Sequence, residues 1–206
     1  KVSIIIPARG VTWRLKACLG SLLYLTDYPD YEVLVINNGE KYPEAFAYYK
    51  RLQRDKRVRV LHYDQPFNYS AVNNWGAQKA TGEVLLFLND DTEVIHADWL
   101  NEMVMWASHT EIGAVGAQLL YYDRTIQHAG VIVGLTGFAG HLFQRLRLHT
   151  WTIFGLPMWY RDHLAVTGAC LMVRREVLEQ VGGWPEDLPL CGNDVVLGLR
   201  INQAGY

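Results

Sequence analysis

Four short apolar runs set the architecture. Val2-Ser3-Ile4-Ile5-Ile6, Tyr31 to Ile36, Val58 to Tyr63 and Val84 to Leu88 recur at intervals of about 25 to 30 residues. Each is β-branched or otherwise apolar almost throughout, the pattern of strands buried on both faces. Helical patterns lie between them. Leu15, Cys18, Leu19, Leu22 and Leu23 follow i, i+3, i+4, i+7, i+8 spacing, with Thr12 expected as N-cap. Pro43 opens a second helix running to Arg54, and Ser70 to Ala80 forms a third before Gly82 breaks the pattern.

A β-α-β-α-β-α-β order predicts an α/β fold with a Rossmann-like, mostly parallel sheet flanked by helices. Such sheets bind ligands beyond the carboxyl ends of their strands. The loops that begin at Pro7, Asn37, Tyr63 and Asn89 are therefore the ones to inspect.

The pattern changes after residue 92. Leu100, Met103, Val104 and Ala107 mark another helix. Residues 112–122 and 126–134 read as two strands joined by a turn at Asp123-Arg124. Residues 137–162 have no clean period but carry Phe138, Phe143, Arg145, Arg147, Trp151, Phe154, Trp159, Tyr160 and Arg161. This reads as a long loop, which at that length usually carries function, or as a small hydrophobic subdomain packed on the sheet. Residues 165–173 read as a strand and 174–181 as a helix closed by Gly182-Gly183. The last helix spans 193–204, with Gly205 at its C′ position.

Composition excludes several classes. The 206 residues carry 19 basic and 21 acidic side chains, a net charge of −2, which argues against a nucleic-acid partner. Cys18, Cys170 and Cys191 are far apart and form no CxxC pair, so neither a disulfide framework nor a zinc site is expected, and a cytoplasmic compartment fits. No run is long enough for a transmembrane segment, and Val2–Ile6 is too short for the core of a signal peptide. The chain starts at Lys1 without Met and stops at Gly205-Tyr206, which reads as a C-terminally truncated piece of a longer protein.

Three constellations can carry chemistry. Asn89-Asp90-Asp91-Thr92 follows the fourth strand; adjacent carboxylates suit Mg²⁺ or Mn²⁺, and a plain acidic turn is the alternative. Gly168-Ala169-Cys170 leads to Gly182-Gly183-Trp184 and then Gly192-Asn193-Asp194, where Asp194 opens a helix whose macrodipole favours its charged form, or where it is simply a cap. Asn37-Asn38-Gly39 places amides that could read a nucleobase edge, or a turn. Dinucleotide oxidoreductases need GxGxxG after the first strand; Pro7-Ala8-Arg9-Gly10-Val11-Thr12 stands there instead. P-loop and nucleotidyltransferase loops are absent too.

In combination these segments resemble the family 2 glycosyltransferases, inverting enzymes of the GT-A fold. The matching motifs are VSIIIP (2–7), YPDYEVLVINNG (28–39), GEVLLFLNDDTEV (82–94), VTGACLMVRREVLEQVGGW (166–184) and NDVVLGLRINQAGY (193–206). YDRTIQHAGVIVG (122–134) is similar to the bacterial rhamnosyltransferase and O-antigen branch. The resemblance implies one GT-A domain, with 1–94 a nucleotide-binding half and 95–206 an acceptor-binding half. It implies a nucleoside-diphosphate sugar donor, a glycan or lipid-linked acceptor, and peripheral membrane contact at the inner face of a bacterial membrane. Asp91 and Asp90 would hold the divalent cation, with Asp90 also on the donor. Pro7, Ala8, Arg9, Asn37 and Asn38 would cradle base and ribose, and Asp194 would be the catalytic base. A further metal ligand is expected downstream of residue 206. The family's Arg-Asn pair is Asn73-Asn74 here, and it usually has acids at the positions of Asn37, Asn89 and Asn193. Those three asparagines motivate the alternative, a non-catalytic relative that binds sugar nucleotide or glycan.

Overall fold

A computed structural model describes every residue except Thr12, Glu40 and Lys41, and Thr136 without its side chain. The expected Thr12 cap therefore lies outside the described residues. In chain order the elements are β1 (Val2–Ala8), α1 (Trp13–Leu25), β2 (Tyr31–Asn37), α2 (Pro43–Leu52), β3 (Val58–His62), α3 (Tyr69–Lys79) and β4 (Val84–Leu88). There follow α4 (Trp99–Ala107), β5 (Ala114–Gly116), β6 (Leu119–Leu120), β7 (Ile126–His128), β8 (Val131–Val133) and β9 (Ala139–His141). The chain closes with β10 (Cys170–Arg174), α5 (Arg175–Gln180) and α6 (Asn193–Gln203).

Six strands form the central sheet in the order β3-β2-β1-β4-β10-β5. The first four are parallel, in registers that include Ala8↔Asn37, Asn37↔His62 and Ile5↔Phe87. β10 runs antiparallel to both β4 and β5. This reversal brings the start of β10 to the edge where β1, β2 and β4 end.

Period-2 alternation divides the strands between two cores. Val2, Ile4, Ile6, Leu86, Leu88, Cys170 and Met172 face α1, α2 and α4. Ile5, Leu85, Phe87, Leu171 and Val173 face α3, α5 and α6. α3 lies so close to the sheet that a Cβ at Gly76 would sit 2.5 Å from Ile36 Cδ1. Only glycine permits that approach.

Glu32 and Arg174 are each matched to several partners inside the fold. The Glu32 carboxylate accepts hydrogen bonds from Ser3 Oγ at 2.7 Å, Thr81 N and Oγ1 at 2.7 Å each, and Arg59 at 3.1 Å. Arg174 donates to the carbonyls of Ala107, His109, Ile112 and Thr110, clamping the turn between α4 and β5.

The second half departs from the sequence expectation. Residues 112–122 do not form one strand: Ala114–Gly116 pairs with β10, whereas Leu119–Leu120 pairs with β7. The break follows Gly116, where a Cβ would lie 2.5 Å from Val166 Cβ, a close backbone approach of the kind that interrupts strands. The turn at Asp123-Arg124 is present, with Arg124 at φ 65°. Residues 126–134 divide into β7 and β8 around Gly130 at φ 106°. The strand expected over 165–173 starts only at Cys170, because residues 167–169 bond to side chains and loops rather than to a neighbouring strand.

Candidate active site

The carboxyl edge gathers the candidate residues from both halves. β1 ends in Pro7-Ala8, with Arg9 exposed beyond it, and the Ala8 carbonyl accepts from Asn38 N at 2.9 Å. Asn37 and Asn38 are buried at the end of β2. Asn37 Nδ2 lies 3.1 Å from His62 Nδ1. Asn38 donates both amide hydrogens, to the carbonyls of Tyr63 and Gln65 at 2.8 Å each. Those donors organise the loop after β3, and Asn38 shapes the edge through its backbone and its fold.

Asn89-Asp90-Asp91-Thr92 forms a turn directly after β4. Thr92 Oγ1 donates to the Asn89 carbonyl at 2.9 Å, and the buried thiol of Cys18 lies beneath, 3.7 Å from the same carbonyl. Burial pushes that thiol up to about 12, so it stays protonated. Asp91 is exposed and Asp90 half-buried. Burial first, and the Asp91 charge second, raise the Asp90 carboxyl above its ordinary range; its own amide and Arg14 oppose them. A half-buried carboxyl beside a second, exposed acid forms a site improved by a cation. Their oxygens suit Mg²⁺ or Mn²⁺, which are held through one or two carboxylates with water and phosphate completing the shell. No group of three or more His, Cys, Asp or Glu that could hold a metal occurs among the described residues. The donor set thus fits a cation shared with a phosphate-bearing substrate.

Asp194 is reached from the other side of the sheet. Gly192, at φ 76°, turns the chain into α6. Asn193 is buried and donates to Ser70 Oγ at 3.2 Å, fixing the start of α6 against α3. The Asp194 carboxylate is half-buried. Its Oδ1 accepts from Val195 N at 2.9 Å and its Oδ2 from Gly168 N at 3.0 Å. Each oxygen keeps a lone pair for another donor.

One short segment joins the two acidic elements. The Gly168 carbonyl accepts from Tyr69 Oη at 2.8 Å, and the Ala169 carbonyl from Asn89 N at 3.0 Å. Residues 167–169 therefore contact the acid turn, α3 and Asp194 together. Tyr69 lies close enough to Asp194 and Asp91 that their charges, after burial itself, raise its hydroxyl well above the usual tyrosine range.

The sequence pattern does not single out Tyr69 or Arg14, and it marks Gly168 only as part of the Gly168-Ala169-Cys170 run, not as a backbone donor to Asp194. Tyr69 and Gly168 act through atoms that no motif exposes: a hydroxyl at the start of a helix and a backbone amide. Arg14 sits in the first turn of α1, and its charge reaches Asp90. Asn73 is wholly buried, and Asn74 ties down Trp184: it accepts from Trp184 N at 2.8 Å and donates to Trp184 O at 2.9 Å.

The segment 137–162 holds β9, the buried Phe143 and, beyond them, a hydrogen-bonded turn that forms an exposed tip. Thr152 and Gly155 exchange backbone hydrogen bonds at 2.9 and 3.2 Å, leaving Ile153 94% and Phe154 61% exposed. Trp151 and Trp159 flank the tip edge to face, 5.6 Å apart. Arg161 is spent inside the loop, donating to the carbonyls of Phe154, Leu156 and Trp159. A cavity of about 1930 Å³ runs between this loop, α4 and β5, and Asp91 opens onto it.

These features define a glycosyltransferase domain of the GT-A class: a mostly parallel sheet with an acidic turn after its fourth strand and a carboxylate at a following helix. Residues 3–182 match Glycosyl transferase family 2, and the chain belongs to that family. It is 50% identical over 206 residues to the O-antigen biosynthesis protein RfbC of Myxococcus xanthus, all of this chain and 16% of that protein. It is 27% identical over 207 residues to the glycosyltransferase AglE of Haloferax volcanii, all of this chain and 62% of that protein. The chain thus spans only part of the relatives it matches. Among solved structures, the mannosyltransferase PcManGT of Pyrobaculum calidifontis, in complex with GDP-Man and Mn²⁺, shares the fold at a TM-score of 0.70 and 20% identity. The match covers all of this chain and 52% of that one. GalNAc-T7 with UDP, GalNAc and Mn²⁺ does so at 0.71 and 17% identity, over all of this chain and 41% of that one.

Proposed function

We propose that this domain transfers a sugar from a nucleoside-diphosphate sugar to a hydroxyl of a glycan or lipid-linked acceptor, with inversion, in bacterial surface polysaccharide synthesis. The observation that carries the reading is the bonded path from Asn89 through Ala169 and Gly168 to Asp194. It ties a carboxylate suited to proton abstraction to the acidic turn. In this reading Asp91 and Asp90 hold the divalent cation; the complexes of two fold relatives contain Mn²⁺ together with a nucleotide. Pro7, Ala8, Arg9 and Asn37 line the place for base and ribose. Residues 1–94 serve the donor and 95–206 the acceptor.

The chemistry follows from the charges. The donor leaves as a nucleoside diphosphate, and a bound divalent cation would stabilise that charge as a Lewis acid. Asp194 accepts the acceptor hydroxyl proton as the oxygen attacks the anomeric carbon. Val195 N and Gly168 N fix the carboxylate while it does so. One displacement with one base inverts the anomeric centre, and a nucleophilic carboxylate is not required.

The acceptor loop supports contact with an anionic membrane surface at the inner face of the membrane, in the cytoplasm. Within 137–162, Arg145 and Arg147 are exposed, Arg161 is engaged by loop carbonyls, and Asp162 is the one acid. An apolar tip beside arginines suits an interface where aliphatic and aromatic groups enter and cations meet headgroups. No helix among the described residues is long and apolar enough to cross a membrane.

The test is a thermal-shift panel of UDP, GDP, dTDP and CMP with Mn²⁺, followed by turnover of the matching nucleotide sugar. A nucleotide that raises the melting temperature together with measurable turnover supports the transferase. Binding without turnover across the donor panel would establish the non-catalytic relative instead.

A further inference from the structure

His128 closes β7 and is 1% exposed. Its Nε2 lies 3.3 Å from two backbone amides, those of Gly130 and Thr167. Both amides are donors, so Nε2 is the acceptor and the ring proton sits on Nδ1. Nδ1 is 2.8 Å from Nδ1 of His141, and the two rings meet edge to face with centroids 5.0 Å apart. His128 therefore donates and His141 accepts, which places the proton of a neutral His141 on its own Nε2. Burial, then the neighbouring His141 and His163, hold His128 at about 3, so it is neutral. His163 packs over Gly130, where a Cβ would lie 2.1 Å from its Nε2, and this fixes the peptide that shares the His128 acceptor.

Thr167 and Gly168 are consecutive. The amide of the first is held by His128, and the amide of the second is spent on Asp194 Oδ2. We propose that His128, its tautomer fixed by His141, is a positioning residue that anchors the Val166–Thr167 peptide, so that the adjoining Thr167–Gly168 peptide, which carries the Gly168 amide, aims the Asp194 carboxylate. The inference rests on Asp194 being the base. A buried imidazole can accept at Nε2 only while its proton is committed elsewhere, and His141 supplies the partner for that proton. Loss of the acceptor leaves the Thr167 amide without this partner and loosens the Val166–Thr167 peptide, and through the Thr167 backbone the peptide that follows it. Asp194 Oδ2 then loses its aligned donor, while Oδ1 keeps the Val195 amide and the side chains of the acid turn are untouched.

Side-chain shape gives the test. Glutamine carries its amide oxygen to the place of Nε2, and asparagine to the place of Nδ1. Turnover of GDP-mannose or UDP-N-acetylglucosamine with Mn²⁺, whichever the wild-type protein accepts, is measured for His128→Gln, His128→Asn, His141→Asn and His141→Leu. Nucleotide affinity and melting temperature are measured alongside. His128→Gln is expected within about threefold of wild-type kcat, and His128→Asn to fall about tenfold or more with nucleotide affinity unchanged. His141 is partly exposed, so its variants test the link even where His128 variants fold poorly. His141→Asn keeps an acceptor for the His128 proton and retains kcat, whereas His141→Leu lowers it. Equal losses in the Gln and Asn variants, or losses that track melting temperature alone, overturn the proposal. Full activity of His128→Asn alongside inactive Asp194→Asn overturns it while leaving the base in place. An active Asp194→Asn overturns both.

Discussion

The Gly168 amide donates to the Asp194 carboxylate at 3.0 Å, across 26 residues of sequence. The same glycine lies under Trp184 and beside Tyr69: a Cβ there would meet Trp184 Cη2 at 2.9 Å and Tyr69 Oη at 3.4 Å. The contact that aims the carboxylate thus depends on the absence of a side chain. Gly168→Ala is expected to destabilise the domain by about 1–3 kcal/mol through overpacking and to lower kcat more than nucleotide affinity. Thermal melts and steady-state kinetics on the variant check both parts. An alanine variant with wild-type kcat would show that this peptide does not control Asp194.

Asp91 is exposed in its turn, so Asp91→Ala is expected to leave the melting temperature within about 2 °C of wild type. Mn²⁺-dependent nucleotide binding should fall by tenfold or more, on the order of 1.4 kcal/mol. Calorimetric titration of nucleotide with and without Mn²⁺ measures it. Unchanged Mn²⁺ dependence would move the cation away from Asp91.

Glu32 gives a pH signature of stability. Burial alone would raise its carboxyl, but Thr81, Ser3 and Arg59 outweigh that and hold it at about 2, against an ordinary value of 4.5. The folded value is depressed, so the stabilisation is complete above about pH 4.5 and is lost as pH falls toward 2. Glu32→Gln should therefore lower the melting temperature clearly at pH 7, and the gap to wild type should narrow below pH 4.5. A gap that is constant from pH 7 to pH 3 would contradict the ionised network.

The apolar tip predicts membrane behaviour. Replacing Ile153 and Phe154 together by serine should reduce co-sedimentation with vesicles containing anionic phosphatidylglycerol, and leave nucleotide binding intact. Ile153 is 94% exposed and Phe154 61%, so the double change costs the fold little beyond the ring contact of Phe154 with Phe143. Equal sedimentation of wild type and double variant, or of anionic and neutral vesicles, would remove the tip and its arginines from a role at the bilayer.

The sheet was legible because its signal is local. Val2–Ile6, Tyr31–Ile36 and Val84–Leu88 are apolar on both faces, and only burial between helices accommodates such runs. The acid turn and Asp194 could be named because each follows a readable boundary, the end of a strand and the start of a helix. The second half was not legible to the same degree. Its strands are two or three residues long, and Gly116, Gly130 and residues 167–169 are shaped by contacts with Val166, His163 and Asp194. Asn38 shows the same limit: its amide looks free in sequence but is committed to Tyr63 and Gln65, residues on the next strand's loop. The His128–His141 pair was invisible for that reason, since 13 residues and a change of strand separate its members.

The most direct measurement is a kinetic comparison of Asp194→Asn with wild type, using a nucleotide sugar the wild-type protein turns over in Mn²⁺. Asparagine keeps an oxygen that accepts from Gly168 N but cannot take the acceptor proton. The account predicts a fall in kcat of about 10²-fold or more with nucleotide affinity within about twofold. Wild-type kcat in Asp194→Asn would contradict it.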